Sequence, residues 1–302
     1  MPSKTKQLAE NALLLGIALV LLFVSTYTVA GVVTSLLLPL PFVLLGMRRT
    51  MSSTIWIVVV FAFLGGVFTG IVSALMALTV ALWGAVMGQM YAKRGSALAA
   101  ITAGAAVVFL GYVAILALST YIFGLDLNEM MKRAAEYKPP FMPQEQFDQG
   151  MQLVKMGMPA FLVMMSFIQS GITHGISRLV GKRMRLSVPA LPPLRDWSFP
   201  RSLLYYYFIS MMALLFMGND LEGTFWTSAV LNVKVMLDVI LTLQGLAFCF
   251  FAIHLYNRKA LAPVLIVSLF IFPPLTTILS LLGIFDLGVN LRKRLETRVK
   301  RG

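Results

Sequence analysis

An all-α, polytopic transmembrane helical bundle is the fold class this sequence predicts, from three observations. Its apolar runs are long enough to span a bilayer, they contain few charges, and Lys and Arg recur on alternate connections between them. Hydrophobic residues make up 59% of the 302 residues and charged residues 12%. With a mean hydropathy of +0.85, that balance exceeds what a water-soluble core of this length accommodates. A hydrocarbon core about 30 Å thick takes about 20 apolar residues per helix, and backbone groups inside it must bond internally. The runs lack strand alternation, which excludes a membrane β-barrel.

Apolar runs read against charged breaks predict spans at 11–30, 32–47, 54–69, 71–91, 97–123, 157–177, 202–217 and 227–255. Lys4 and Lys6 ahead of the first run mimic a secretory signal, but the apolar stretch is too long and more spans follow, so an uncleaved first span is expected. The second span is short, carries Pro39 and Pro41, and stops at Arg48 and Arg49; the fourth stops at Lys93 and Arg94. Arg178 closes the sixth, Asp220 and Glu222 follow the seventh, and the eighth begins beside Trp226 and ends before Arg258 and Lys259. A last apolar run, 261–289, is interrupted by Pro273-Pro274. Its two arms are each shorter than one perpendicular span, so it reads as a helical hairpin or broken helix. The expectation is about eight spans plus a Pro-broken C-terminal helical hairpin.

The basic clusters, including the tail 292–301, are cytoplasmic by the positive-inside rule, which places both termini inside a cell membrane. The connections left to face outward are 126–155 and 218–225. One integral membrane domain, 1–302, is expected: first five spans (1–123), an external interfacial loop (124–156), then the remaining spans and basic tail (157–302). In the external loop, Leu127, Met130, Met131 and Ala134 have helical spacing, Pro139, Pro140 and Pro143 follow, and a second helical pattern runs through Phe147 and Met151. It reads as an interfacial helix pair or as a lid over an outward site.

The inner loop 177–201 combines Lys182, Arg183, Arg185, Arg195 and Arg201 with Trp197 and Phe199. Basic residues there attract anionic lipid headgroups by about 1 kcal/mol each, and a protein partner is the other reading. Such loops account for the net charge of +13 without nucleic acid. The single Cys249 permits neither an intrachain disulfide nor a thiolate cluster.

Small residues recur at four-residue spacing in Gly66 and Gly70, Gly84 and Gly88, and Gly171 and Gly175, with Ala12 and Gly16 a looser pair. Such pairs let helix backbones approach closely, within the chain or against another subunit. Ionisable groups inside a span are costly, and the eighth carries Lys234 and Asp238 together with Asn232 and Gln244. Lys234 and Asp238 are spaced to pair on one helix face, roughly 12 and 18 Å along the helix from Trp226. Either the pair neutralises itself and ties helices together, or Asn232, Lys234, Asp238 and Gln244 line a substrate cavity beneath the Asp220/Glu222 loop.

His174 and His254, near inner span ends, have no carboxylate or cysteine beside them, so no metal site is expected. The stretch from Gly175 to Lys182 departs from a phosphate loop in glycine spacing, and Arg183 stands where Ser or Thr is required. No zinc-protease pair or nucleophile elbow appears, so the expectation is a non-enzyme without catalytic residues or cofactor.

Three strings, Leu8-Ala9-Glu10-Asn11-Ala12, Leu191-Pro192-Pro193-Leu194-Arg195-Asp196-Trp197 and Leu243-Gln244-Gly245-Leu246-Ala247, give the chain a near full-length resemblance to the YybS-type family of bacterial multi-pass membrane proteins. The first five spans, with Pro39, Pro41 and the Gly65-Gly66 to Gly70 stretch, more distantly resemble S-components of energy-coupling-factor transporters. That second resemblance implies a membrane-embedded binder of a small molecule, partnered by a membrane scaffold and separate ATPase subunits. This chain is longer than that pattern, with extra spans after the sixth. The expected function is therefore a non-enzymatic, S-component-like binder or transporter. The alternative is a membrane assembly or regulatory protein that docks partners through its basic loops.

Overall fold

The computed structural model describes residues 4–124, 129, 133, 143–217 and 224–301. Its helices are α1 (Lys4–Tyr27), α2 (Gly31–Leu37), α3 (Leu40–Arg48), α4 (Met51–Thr69), α5 (Ile71–Arg94) and α6 (Ala97–Phe123). They continue as α7 (Gln144–Met156), α8 (Met158–Arg183), α9 (Ser202–Met217), α10 (Phe225–Leu255), α11 (Leu261–Ile271), α12 (Leu275–Val289) and α13 (Leu291–Arg301), with a 3-10 turn at Leu194–Asp196. No strand occurs among the described residues. Among the described residues, seven helices, with α2 and α3 counted as one span, are long and apolar enough to cross a membrane, and eight if the bent pair α12 and α13 is also one span.

Local chemistry sets the helix ends. Thr50 accepts a hydrogen bond from the Ser53 amide to open α4, Ser96 accepts from Ala99 to open α6, and Thr224 accepts from Thr227 to open α10. Gly95 and Gly124 close α5 and α6 in the left-handed conformation, at φ 58° and 60°. The expected second span is two helices, because Pro39 cannot supply the amide that would carry α2 into α3. The expected seventh span is α9, at 16 residues shorter than the helices that qualify by length. Of the expected external helix pair, the second member is α7. Leu127, Met130, Met131 and Ala134 lie outside the described residues, as do Asp220 and Glu222.

The chain expected as one domain divides into two compact units, residues 1–140 with 162–191 and residues 141–161 with 192–302. In the first unit α5 is the central helix. Its small residues Ala77, Ala81 and Ala85 share a core with Leu14, Ala18 and Leu22 of α1, Phe42 and Leu45 of α3, and Val58 and Phe61 of α4. Gly84 and Gly88 sit where a Cβ would collide with the Pro39 and Val43 carbonyls, so α3 lies backbone to backbone on α5. Glu10 pairs with both Arg48 and Arg49, Arg49 Nε donates to Asn11 Oδ1 at 2.9 Å, and Gln89 Nε2 donates to the carbonyls of Gly46 and Arg49 at 2.8 and 2.6 Å. The start of α1 and the ends of α3 and α5 thus meet, gathering Lys4, Lys6, Arg48, Arg49, Lys93 and Arg94 at one end of this unit.

The second unit is organised by α10 and α12. A Cβ on Gly245 would collide with the Leu279 carbonyl, and one on Gly283 with the Leu241 carbonyl, so each glycine admits the other helix's backbone. Thr242 lies against Thr276 O at 3.4 Å, and further along Gln244 meets Asp286. Away from that glycine crossing the side-chain contacts keep the same order on both helices, with Asp238 and Thr242 beside Thr276 and Thr277 and the later Gln244 on the later Asp286, so α10 and α12 are parallel. The α11 segment, about 16 Å long at 1.5 Å per residue, must therefore climb back from the end of α10 to the level of Thr242. The expected hairpin is present, and its arms are short because it enters and leaves by the same end.

Backbone bonding at the tip explains why two prolines stand there. Phe272 N donates to Ser268 O at 2.9 Å, and the amides of Leu275, Thr276 and Thr277 bond the carbonyls of Phe272, Pro273 and Pro274 at 3.0 to 3.1 Å. Pro273 and Pro274 carry no amide hydrogen to satisfy. A chain reversal inside a bilayer is tolerated when its donors are paired or absent.

Candidate functional site

Beside the hairpin tip, α9, α10 and α12 enclose a pocket of about 240 Å³. Lys234 and Asp238 line it from roughly midway along the 31-residue α10, with Nζ 2.6 Å from Oδ2. The i,i+4 spacing brings the two charges together, and each side chain remains about one-third exposed (31% and 32%). Tyr207 of α9 lines the same pocket beside Asp238. Thr242 Oγ1 donates to Asp238 O at 2.7 Å, and Thr276, Thr277 and Ser280 present hydroxyls from α12. The Ser280 Oγ is buried and has no protein partner among the described residues. The walls thus offer an ammonium, a carboxylate and several hydroxyls, groups that donate and accept in close range.

Two of the four expected cavity residues are elsewhere. Asn232 bridges the break between α7 and α8: its Oδ1 accepts from the Ala160 amide, and its Nδ2 donates to the carbonyls of Met156 and Ser228, all at 2.7 Å. A carboxamide supplies both the donor and the acceptor that a helix end and a helix start leave unpaired. Gln244, 1% exposed, accepts from the Phe199 amide at 3.0 Å through Oε1 and donates to Asp286 Oδ2 at 2.5 Å through Nε2. At about 100° per residue, Asn232 points roughly 160° away from Lys234, and Gln244 roughly 120° away from Asp238. Helical phase was the signal that separates them from the pocket.

A polar node missed by sequence reasoning surrounds Asp286, which is 4% exposed within the apolar α12. Arg292 Nε donates to its Oδ2 at 2.9 Å, while Nη1 and Nη2 donate to the carbonyls of Arg195 and Trp197, both at 2.8 Å. The same guanidinium lies 5.5 Å from the Phe251 ring centroid. Two of the strings behind the family resemblance, 191–197 and 243–247, are joined by this node, and the third, with Glu10 and Asn11, holds Arg48 and Arg49 in the first unit.

Of the expected packing glycines, Gly84 and Gly88 receive α3, and Gly66 meets Ala74, whose Cβ would stand 2.8 Å from an added Cβ. Gly70 is a turn residue at φ 91°, not a packing contact. A Cβ on Gly171 or Gly175 would meet nothing within 4 Å, so that pair forms no close helix contact among the described residues. The buried His174 Nδ1 lies 2.9 Å from the Tyr91 hydroxyl, and His254 Nδ1 lies 3.4 Å from Arg195 Nη1. Among the described residues no group of three His, Cys, Asp or Glu is arranged to hold a metal ion.

The family model described as predicted membrane protein (DUF2232) matches residues 15–287. The chain is 28% identical over 313 residues to the uncharacterized protein YybS of Bacillus subtilis (strain 168), covering 97% of this chain and 99% of that relative. No solved structure matches.

Proposed function

The chain belongs to the DUF2232 family of predicted membrane proteins, and on that premise we propose that it is a non-enzymatic binder or transporter of a small polar molecule. The observation that carries this reading is the Lys234–Asp238 pair lining a cavity of about 240 Å³ at the tip of a Pro-broken hairpin. Substrate sites in membrane transporters gather where discontinuous helices expose polar groups near the bilayer midplane. An ion pair with adjacent hydroxyls suits a small solute that bears both charge signs, or amide and hydroxyl groups, because each wall group then finds a complement. The Asp238 carboxylate, held 2.6 Å from the Lys234 ammonium, presents with it a matched pair of charges for recognition.

We place both termini and the basic helix ends on the cytoplasmic face of the cell membrane, in keeping with the positive-inside rule. Native mass spectrometry of the protein purified from its own membranes in mild detergent tests the functional reading. The expected result is a small-molecule adduct on the parent chain that is lost in Lys234→Met and in Asp238→Asn and kept in Gly171→Ala. Co-purifying ATPase subunits would make the binder part of a driven transporter. A parent chain without adduct, or an adduct retained by both charge variants, overturns the reading. A reproducible non-ATPase partner on a bare chain would favour the assembly or regulatory alternative.

A further inference from the structure

A second cavity, about 360 Å³, lies where the 3-10 turn, the end of α10 and the start of α11 meet. Arg195, His254 and Lys259 line it, and its remaining surface includes Phe250, Ile253 and Ala262. It is thus an apolar recess with three basic side chains, built within the second unit and separate from the Lys234–Asp238 pocket in every lining residue.

The recess is held in shape from behind. Arg292 donates to the Arg195 and Trp197 carbonyls, and Trp197 Nε1 donates to the Pro192 carbonyl at 3.0 Å, which fixes the turn that presents Arg195. Asn257 at φ 54° ends α10 with the Arg258 amide bonded to Ile253 O at 2.9 Å, and this tight reversal places Lys259 beside the start of α11. The carboxylate in contact with the cluster is Asp196, 3.6 Å from Arg195 Nε and half exposed at 54%. One exposed carboxylate leaves positive charge over against three basic groups.

We propose that this recess binds a phosphate-bearing group, with Arg195 and Lys259 on the phosphate oxygens, His254 beside them, and an apolar portion against Phe250, Ile253 and Ala262. Guanidinium gives planar, paired donors to phosphate and ammonium gives a point charge, so the two side chains are complementary ligands for one group. An amphiphile with a phosphate head and an apolar tail matches both halves of the recess, and basic pockets between membrane helices bind anionic lipid heads in this manner. A soluble phosphate ester would satisfy the basic half alone.

The test uses the full-length protein and does not depend on whether the hairpin-tip pocket holds a ligand. In nanodiscs of mixed phosphatidylglycerol and phosphatidylcholine, native mass spectrometry counts the lipids retained on ejection. The parent chain is expected to keep a phosphatidylglycerol adduct, and Arg195→Gln/Lys259→Gln is expected to weaken it on the order of thirty-fold. Lys182→Gln/Arg183→Gln on α8 should leave it unchanged, which separates the recess from general surface charge. Lys259→Gln alone, at an exposed position, serves as the variant least able to disturb folding and should show a partial loss. In a second arm, inorganic phosphate is added to delipidated protein in detergent. A rise in melting temperature that the double variant abolishes, without selective lipid retention, assigns the site to a soluble phosphate group. Equal lipid retention in all variants together with no response to phosphate overturns the proposal.

Discussion

Arg292 reaches back to Asp286, Nε to Oδ2 at 2.9 Å, although six residues separate them. On a continuous helix that spacing would set the two side chains far apart in azimuth. Asn290, between them, adopts the left-handed conformation at φ 52°, and the axis bends by 75° from α12 into α13. The turn delivers the guanidinium to a carboxylate that also accepts from Gln244, so α10, α12, α13 and the 191–199 loop converge on one buried charge.

Breaking that pair from one side should be costly. Arg292→Met leaves Asp286, with a side chain 3% exposed, without its counter-charge, and a loss of about 3 kcal/mol is expected. Thermal unfolding in detergent, followed by size-exclusion fluorescence, reads the change. Asp286→Leu/Arg292→Met should recover much of it, because the double variant leaves no buried charge unpaired.

Glycine substitutions should separate by location. Gly245→Ala and Gly283→Ala drive a methyl into the facing helix's carbonyl, and each is expected to destabilise by about 1–3 kcal/mol. Gly171→Ala and Gly175→Ala meet open space and should be neutral or mildly stabilising, by up to about 1 kcal/mol. Melting temperatures of the four variants under one detergent condition check the contrast; equal losses at both sites would contradict the packing described.

The hairpin makes a labelling prediction. With Cys249→Ala as background, a cysteine at Lys259 should react with a membrane-impermeant maleimide from the basic side only. A cysteine at Phe272, at the tip, should resist the reagent from both sides of sealed vesicles. Labelling of Phe272→Cys from the face opposite to Lys259 would mean that α11 crosses the bilayer completely.

Spans and basic ends were legible in the sequence because both follow from one-dimensional quantities, run length and charge. Lys234 and Asp238 were legible because four residues make about one helical turn. Asn232 and Gln244 were grouped with them by proximity along the chain, and the rotation between them sends one to a helix junction and the other to the Asp286 node. Gly84–Gly88 and Gly171–Gly175 have the same spacing with opposite surroundings, since spacing marks a small face without saying what lies opposite it. Gly245 and Gly283, where the backbones of α10 and α12 meet, belong to no such four-residue glycine pair. The Asp286–Arg292 bridge escaped because it depends on the conformation of a third residue, Asn290.

The shortness of α11 and α12, 11 and 15 residues, bears on how the protein is made. Neither arm is long enough for the insertion machinery to recognise as a membrane segment on its own. As the chain emerges, α10 must already be in place, since Leu241 and Gly245 of α10 form the seat that Leu279 and Gly283 of α12 occupy. Entry of the C-terminal hairpin is therefore a late folding event on a prebuilt surface, and a ribosome that stalls shortly after Leu255 would leave α10 in the bilayer with that surface open to lipid.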